Sequence, residues 1–279
     1  MKGIWKKLVA GIQICALAGS MVFLQVMPLQ VQAAEEENQV SVGREILNFN
    51  SDWGFYRGDL EGAQEEDYND EAFANVTLPH TMRLEKKHCN GGNGSYKGIG
   101  WYRRYFTLGE EYRGKKINID FEGVMIDSEV YLNGELVDTR NGGYVGFSVD
   151  ISDKIRFGET NVLAVRVSPE DNPDTPPGKP EASLDFHYYG GIYRDVSLRI
   201  TEPLYISDPL QAEKAGSGGV FVTYPQVTEE EASVQVKTHV VNEQGQNAKA
   251  QVEQVLKDQD GRTVASVKTE IQEISAGSD

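Results

Sequence analysis

The sequence predicts an all-β protein built from two successive β-sandwiches. Almost every apolar run along the 279 residues is short and alternates with polar residues, and helical periodicity is hard to find. Turn-forming residues separate these runs at the spacing typical of a sandwich. The predicted strands, in chain order, are Ile99–Leu108, Lys116–Gly123, Ser128–Leu132, Leu136–Thr139, Phe147–Ile151, Asn161–Val167, Ile192–Ile200, Gly219–Tyr224, Ala232–Val241, Ala250–Leu256 and Thr263–Ile271.

The N-terminus has the features of a targeting segment. Lys2, Lys6 and Lys7 precede the apolar stretch Leu8–Met27, and the small-residue pattern Val31–Ala34 follows. We expect a signal peptide over residues 1–33 and an exported protein, located outside the cell, in the periplasm or at the cell surface. The alternative is an uncleaved anchor, because the apolar stretch is close to the ~20 residues that span a bilayer.

The composition excludes some partners. There are 27 basic and 43 acidic residues, with a formal net charge of −16, so we expect the chain to be repelled by nucleic acid and by anionic membrane surfaces. This charge favours neutral or cationic ligands. Cys15 lies in the predicted signal, and Cys89 alone forms no internal disulfide, so stability must come from a packed core.

Turn residues mark the connections between the predicted strands. Asn133-Gly134 and Asp260-Gly261 each predict a hairpin, since both positions of such a turn tolerate positive φ. Ser168–Ala182 contains five prolines and predicts a long surface loop, because proline cannot donate to a sheet ladder. The second unit begins near Thr201–Pro203, and too few residues follow for the ~100 residues of a complete immunoglobulin-type sandwich.

The most informative segment is Leu184–Ile200, which reads LDFHYYGGIYRDVSLRI. Asp185 precedes His187, Tyr188 and Tyr189, and a pair of glycines then leads into an apolar strand. A carboxylate and aromatic rings at the mouth of a sheet form one kind of sugar site. This segment is the candidate binding site of the chain.

The same segment resembles the end of the jelly-roll sugar-binding domain of glycoside hydrolase family 2, the β-galactosidase and β-glucuronidase family. The resemblance spans about residues 42 to 203, and residues 204 to 279 resemble the start of that family's immunoglobulin-like domain. The matching stretches keep the family's order: Val76–His80 (VTLPH), Gly98–Phe106 (GIGWYRRYF), Phe121–Val124 (FEGV), Glu129–Glu135 (EVYLNGE), Gly142–Phe147 (GGYVGF), Asn161–Val167 (NVLAVRV) and Leu184–Leu198.

The resemblance implies a fold and a site. It implies a jelly-roll sandwich over residues 42–203 and an incomplete immunoglobulin-like sandwich over residues 204–279. It also implies a sugar contact from Asp185, which in some members of the family reaches the active site of a catalytic barrel. The alternative is an aspartate that caps its own turn. We predict Asp185, Tyr188 and Tyr189 as substrate-binding residues.

Other family positions transfer less directly. In some β-galactosidases an asparagine also contacts substrate, and the corresponding loop offers both Asn90 and Asn93. Asn242-Glu243 matches the dipeptide of the family's acid/base residue, but it ends a predicted strand and leads into a turn. We therefore assign no catalytic residue. The two carboxylates of a retaining glycosidase lie on a (β/α)₈ barrel of ~250 residues, which this chain does not contain.

The sequence context of the aromatic residues and histidines decides between a core role and a site role. Trp53, Trp101, Tyr102 and Tyr144 could form stacking platforms, but aromatic residues in strands are more often core. Core is favoured for Trp101 and Tyr144, whereas Tyr188 and Tyr189 stay open between the two roles. The four histidines are too scattered to suggest a metal site, and we predict no metal and no other cofactor.

The sequence therefore predicts a non-catalytic N-terminal portion of an exported family 2 glycoside hydrolase. The parent reaction would be hydrolysis of terminal β-galactosides, and a β-galactoside-like carbohydrate would be the ligand. We expect no turnover by this chain alone, because the barrel is missing, and no membrane association after removal of the signal. The alternatives are a portion of a β-glucuronidase and a stand-alone carbohydrate-binding protein.

Overall fold

A computed structural model describes residues 11–14, 43–82 and 96–279, and almost all of their regular structure is β strand. The first strands are β1 (Gly11–Ile14), β2 (Arg44–Asn48), β3 (Trp53–Arg57), β4 (Ala74–Val76), β5 (Gly100–Thr107), β6 (Lys116–Phe121), β7 (Val124–Met125), β8 (Asp127–Leu132), β9 (Glu135–Asn141), β10 (Phe147–Asp150) and β11 (Thr160–Ser168). The remaining strands are β12 (Gly191–Ile192), β13 (Val196–Thr201), β14 (Leu204–Ile206), β15 (Val220–Val227), β16 (Ala232–Thr238), β17 (Val240–Asn242), β18 (Ala248–Ala250), β19 (Glu253–Lys257), β20 (Thr263–Lys268) and β21 (Gln272–Ile274). Two short 3₁₀ helices cover Glu110–Tyr112 and Glu181–Ser183.

The chain divides into two compact units, of which the larger is Arg44–Glu202. This unit contains a four-stranded sheet in the order β10-β6-β13-β2 and a six-stranded sheet in the order β4-β3-β5-β11-β8-β9. Every strand pair in both sheets is antiparallel. The fold class predicted from the sequence, an all-β sandwich, is confirmed.

Alternation along the strands explains the core of this sandwich. In β6, Ile117, Ile119 and Phe121 are buried, and they pack in one apolar cluster with Leu163 and Val165 of the other sheet. Because successive side chains point to opposite faces of a strand, every second residue faces the opposing sheet. Burial of these side chains stabilises the unit without a disulfide.

The hairpin predicted at Asn133-Gly134 is confirmed. Leu132 pairs with Glu135, so the loop has two residues, and φ is 52° at Asn133 and 84° at Gly134. The Asn133 side chain also accepts a hydrogen bond from the backbone N–H of Val162 at 2.9 Å. The turn therefore joins β8 to β9 and also holds the start of β11.

The predicted strand Ile192–Ile200 is two strands, so that prediction was wrong in its extent. Gly191–Ile192 pairs with β7, whereas Val196–Thr201 lies between β6 and β2. The chain leaves one pairing and enters the other at Asp195, which accepts a hydrogen bond from Asn50 Nδ2 at 3.1 Å. The Asn50 side chain also accepts from the Val196 N–H at 2.8 Å, which fixes this bend.

Strands β2, β3 and β4 were not predicted from the sequence. In β3, Trp53 and Phe55 are buried while Gly54 lies between them, so the apolar alternation is short and interrupted. The Gly54 α-carbon lies against the Phe73 side chain, where a Cβ would be 3.2 Å from the Phe73 Cβ. Tertiary packing rather than local periodicity makes this segment a strand.

The second unit contains residues 203–279 together with the described strand β1, which lies within the predicted signal segment. Its sheets follow the orders β1-β16-β15, β14-β17, β18-β21 and β19-β20. Asp260-Gly261 lies in the β19–β20 hairpin, but the loop runs from Asp258 to Arg262 and is closed by the Asp258 N–H bonding to the Arg262 carbonyl at 2.9 Å. Across the described ranges, no helix is long and apolar enough to cross a membrane.

The Gly190-Gly191 turn packs closely against two other segments. A Cβ on Gly190 would lie 2.5 Å from the Pro169 Cβ, and one on Gly191 would lie 2.6 Å from the Tyr102 hydroxyl and 2.7 Å from the His80 carbonyl oxygen. Gly191 also has a φ of +129°, which side chains rarely adopt. Hydrogen bonds from His80 N to Ile192 O and from Met82 N to Gly190 O, both 2.8 Å, close the contact.

His80 lies beneath this turn in a largely apolar setting. Its Nδ1 is 2.9 Å from the Tyr102 hydroxyl, and its ring centroid is 4.7 Å from that of Phe55. Burial lowers the pKa of His80 below its ordinary value of 6.5. Burial raises the pKa of Tyr102, so the phenol stays neutral and keeps its proton.

We predict that Gly191→Ala destabilises the sandwich by about 2–4 kcal/mol, because the new Cβ meets backbone and phenol atoms at a positive φ. Urea unfolding of the purified chain measures this free energy. Gly43→Ala is the matched control, since nothing lies within 4 Å of a Cβ there. Equal unfolding free energies for the two variants would contradict the prediction.

Stability should fall as the pH drops through 6.5, in part because of His80. The unfolded imidazole takes up a proton near that pKa, whereas the partly buried imidazole of the folded chain resists protonation to lower pH. The unfolded state therefore binds more protons there, and stability increases with pH in this window. Urea unfolding between about pH 7.5 and 5.5 should show a weaker pH dependence for His80→Gln than for the unmodified chain. Parallel pH profiles for the two proteins would rule out this contribution.

Candidate functional site

Asp185 lies on the segment of residues 184–190, here called the Asp185 loop, at one end of the sandwich. Its side chain is exposed, as is that of its neighbour Phe186. Within residues 43–82 and 96–279, no group forms a hydrogen bond or ion pair with the Asp185 carboxylate. The alternative in which Asp185 caps its own turn is therefore not observed. The carboxylate oxygens are available to accept hydrogen bonds from a ligand.

A buried carboxylate holds the base of this loop. Glu181 is 2% exposed, and its Oε2 lies 2.8 Å from the Lys97 ammonium. Its other oxygen, Oε1, lies 3.0 Å from Nδ1 of His187. Glu181 thus binds the loop two residues after Asp185 and connects it to the start of β5. A buried charge requires such partners, because an unpaired one is strongly destabilising.

Tyr188 forms a second anchor. It is 4% exposed and packs with the buried Met125 and Ile126 and the partly buried Leu184 and Tyr193, a group here called the Tyr188 cluster. Its hydroxyl donates a hydrogen bond to Asp171, and the Lys97 ammonium lies 3.7 Å from its ring centroid. Among the described residues, Tyr188 therefore supports the Asp185 loop. Its predicted role as a sugar contact stays a prediction.

Asp171 links the proline-rich loop, residues 168–182, to the same cluster. Burial raises the pKa of Asp171, but the hydrogen bond from Tyr188 and the Lys97 charge outweigh this, and the pKa lies below its ordinary value. Burial, together with the Asp171 carboxylate, raises the pKa of Tyr188. At neutral pH Asp171 is therefore a carboxylate and Tyr188 is its neutral donor. The predicted loop is confirmed, and charged groups fix it at both ends.

Two other aromatic predictions have opposite outcomes. Trp101 is 2% exposed and donates to Asp59 at 3.1 Å, so its assignment to the core is confirmed. Tyr144 is 43% exposed, so its assignment to the core was wrong. It lies between β9 and β10, in a loop rather than in a strand. Tyr189 is half-buried, with its ring 6.5 Å from that of His187, and its role as a sugar contact stays a prediction.

The asparagine candidates fall in different places. Asn90 and Asn93 lie outside the described residues. Asn242 is fully buried, and its Nδ2 lies 3.0–3.1 Å from the carbonyl oxygens of Gln246, Ile274 and Ser275. Glu243 accepts a hydrogen bond from the Tyr205 hydroxyl at 2.7 Å. The interpretation of Asn242-Glu243 as a structural turn is confirmed.

A shallow groove of about 500 Å³ lies on the outer face of the six-stranded sheet, between Trp101, Tyr131 and the segment after β3. Asp59 binds Arg166 through both carboxylate oxygens, and the Tyr131 hydroxyl donates to Glu129. Burial, together with Glu129, raises the pKa of Tyr131 to about 12. These polar groups satisfy one another, which distinguishes the groove from the unpartnered Asp185. In the part of the chain described, no cluster of His, Cys, Asp or Glu side chains could hold a metal ion.

The sequence did not reveal the anchors Lys97, Asp171 and Glu181. Glu181 and Asp171 lie among the acidic residues of a proline-rich segment, and nothing local marks one of them as buried. The antiparallel pairing of β5 with β11, in which Gly100 lies opposite Val167, brings Lys97 beside the segment that follows β11. This pairing is not readable from the local sequence.

We predict that Glu181→Gln destabilises the sandwich by about 2–4 kcal/mol, because it leaves Lys97 and His187 without their buried charged partner. Urea unfolding measures the loss, and hydrogen exchange should be faster at the backbone amides of residues 181–190. Glu170→Gln, an exposed position in the same loop, should change stability by less than about 0.5 kcal/mol. Similar losses for both variants would show that Glu181 is not an anchor.

Comparison with known proteins identifies the same region. Residues 60–203 match the family model described as "Glycosyl hydrolases family 2, sugar binding domain". A β-galactosidase of Thermoanaerobacter pseudethanolicus is 34% identical over 235 residues, covering 84% of this chain and 29% of that protein. A β-glucuronidase of Formosa agariphila is 32% identical over 232 residues, covering 80% of this chain and 24% of that protein.

Solved structures agree with the sequence matches. A β-glucuronidase from glycoside hydrolase family 2 superposes with a TM-score of 0.74 at 30% identity, covering 86% of this chain and 26% of that one. Bacteroides uniformis β-glucuronidase 2, covalently bound to cyclophellitol-6-carboxylate aziridine, gives a TM-score of 0.73 at 29% identity, covering 84% of this chain and 26% of that one. The chain thus spans about a quarter of the length of these relatives. The family predicted from the sequence is confirmed: this chain belongs to glycosyl hydrolase family 2 and contains that family's sugar-binding domain.

Proposed function

We propose that the chain is the exported, non-catalytic part of a β-galactoside-hydrolysing enzyme and that Asp185 contributes a sugar contact. The observation that carries this proposal is an exposed carboxylate without a partner, held on a loop that Glu181, Asp171 and Tyr188 anchor from below. A carboxylate accepts hydrogen bonds from two adjacent hydroxyls, which is the pattern a hexose offers. Anchoring before binding reduces the entropic cost of ordering the loop.

Charge near the loop supports a neutral galactoside over a uronate. Asp171, Glu181 and Asp185 lie on or beside the Asp185 loop, and among the described residues Lys97 pairs with the first two of them. A uronate carboxylate would enter a region of like charge, which costs free energy unless further cations are supplied. The relatives include both β-galactosidases and β-glucuronidases, so a β-glucuronide is the alternative ligand.

We predict that the chain binds methyl β-galactoside weakly and that Asp185→Ala reduces the affinity at least about tenfold, since a hydrogen bond to a charged group contributes about 1.5–3 kcal/mol. Titration followed by ¹H–¹⁵N NMR measures the affinity and shows whether amides of residues 184–190 move. Asp174→Ala, an exposed carboxylate in the adjacent proline-rich loop, is the matched control and should bind like the unmodified chain.

The same titration with methyl β-glucuronide separates the two ligand classes. Tighter binding of the glucuronide would overturn the galactoside assignment. Unchanged affinity in Asp185→Ala, or no shift at the Asp185 loop with either sugar, would overturn the proposed role of Asp185.

A further inference from the structure

Exposed apolar side chains lie on the Asp185 loop and on the connection between β9 and β10. Phe186 is 47% exposed, and in the loop between β9 and β10 Tyr144 and Val145 are 43% and 65% exposed. We call residues 142–146 of that connection the Tyr144 loop. Its sequence, GGYVG, places one aromatic ring among small residues. Exposed aromatic rings beside an unpartnered polar group are typical of a ligand site rather than of plain surface.

The Tyr144 loop is fixed by close backbone contacts. The Tyr193 hydroxyl donates a hydrogen bond to the Gly143 carbonyl oxygen. The Gly142 N–H bonds to the Ile126 carbonyl oxygen at 3.0 Å. A Cβ on Gly143 would lie 2.2 Å from Met125 Sδ, so a larger residue here would require the Met125 side chain to move.

The residues that hold the Tyr144 loop also support the Asp185 loop. Met125, Ile126 and Tyr193 belong to the Tyr188 cluster, which includes Leu184 and Tyr188 on either side of Asp185. One small apolar cluster thus supports both loops. The electrostatic influence of Tyr144 contributes to the raised pKa of Tyr188, in agreement with this proximity.

We propose that Tyr144 is a specificity-determining sugar contact, with its ring stacking on the apolar face of the hexose whose hydroxyls bind Asp185. This inference rests on the proposed function of Asp185. One face of a galactoside presents mainly C–H groups, and a rigid aromatic ring covers such a face at a low entropic cost. A carboxylate and an aromatic ring together would select a neutral sugar by both its hydroxyl pattern and its apolar face.

Three tyrosine variants of the full 279-residue chain test this inference by the same NMR titration with methyl β-galactoside. Tyr144→Ala should lower the affinity about tenfold, since it removes the stacking surface. Tyr144→Phe should bind within about twofold of the unmodified chain, because the ring remains. Tyr224→Ala is the control: Tyr224 is 64% exposed and belongs to the other unit, and its loss should leave the affinity unchanged.

The outcomes separate this inference from the proposed function. If Asp185→Ala weakens binding but Tyr144→Ala does not, the stacking role is wrong and the role of Asp185 stands. If the two alanine variants both bind like the unmodified chain, or no sugar binds at all, both proposals are overturned. An equal loss in Tyr144→Phe and Tyr144→Ala would point to the hydroxyl group and would overturn stacking.

Discussion

The geometry of the candidate site depends on a backbone contact that only glycine permits. Gly190 and Gly191 lie against Pro169 and Tyr102 at distances that leave no room for a Cβ. This contact places the end of the Asp185 loop on the segment that carries His80. The core therefore holds the C-terminal end of the loop, and the exposed residues of the loop need little further ordering. A site built on rigid elements is more precise than one on a free loop.

Electrostatics then determine which carboxylates are structural and which is available. The Lys97 ammonium lies 2.8 Å from Glu181 and 3.4 Å from Asp171, so two acids share one cation. Both carboxylates gain further donors, from His187 and from Tyr188. Asp185 receives none of these donors, although it lies four residues from Glu181. The contrast between paired and unpaired acids within one segment is a stronger argument for binding than exposure alone.

In the second unit, the Asn242-Glu243 pair shows why a match in letters is not a match in chemistry. An acid/base residue needs its carboxyl group free to meet a leaving-group oxygen. Glu243 instead accepts the hydroxyl of Tyr205, and Asn242 satisfies three carbonyl oxygens. These hydrogen bonds fix the turn. Among the described residues of this unit, Val236 is the only large apolar side chain that is buried. With so little apolar burial, polar contacts carry much of the local order.

Local rules predicted the parts of the fold that local chemistry controls. The turn at Asn133-Gly134 needs positive φ at both residues, so its sequence was sufficient. The burial of Glu181 depends on Lys97, which is distant in sequence, so no local pattern could predict it. Tyr144 was misassigned because an aromatic residue near a strand is more often core. The neighbouring glycines indicated an exposed ring instead. Glycines allow the backbone of a loop to pack closely against the protein, and the single aromatic ring of such a loop then faces outwards.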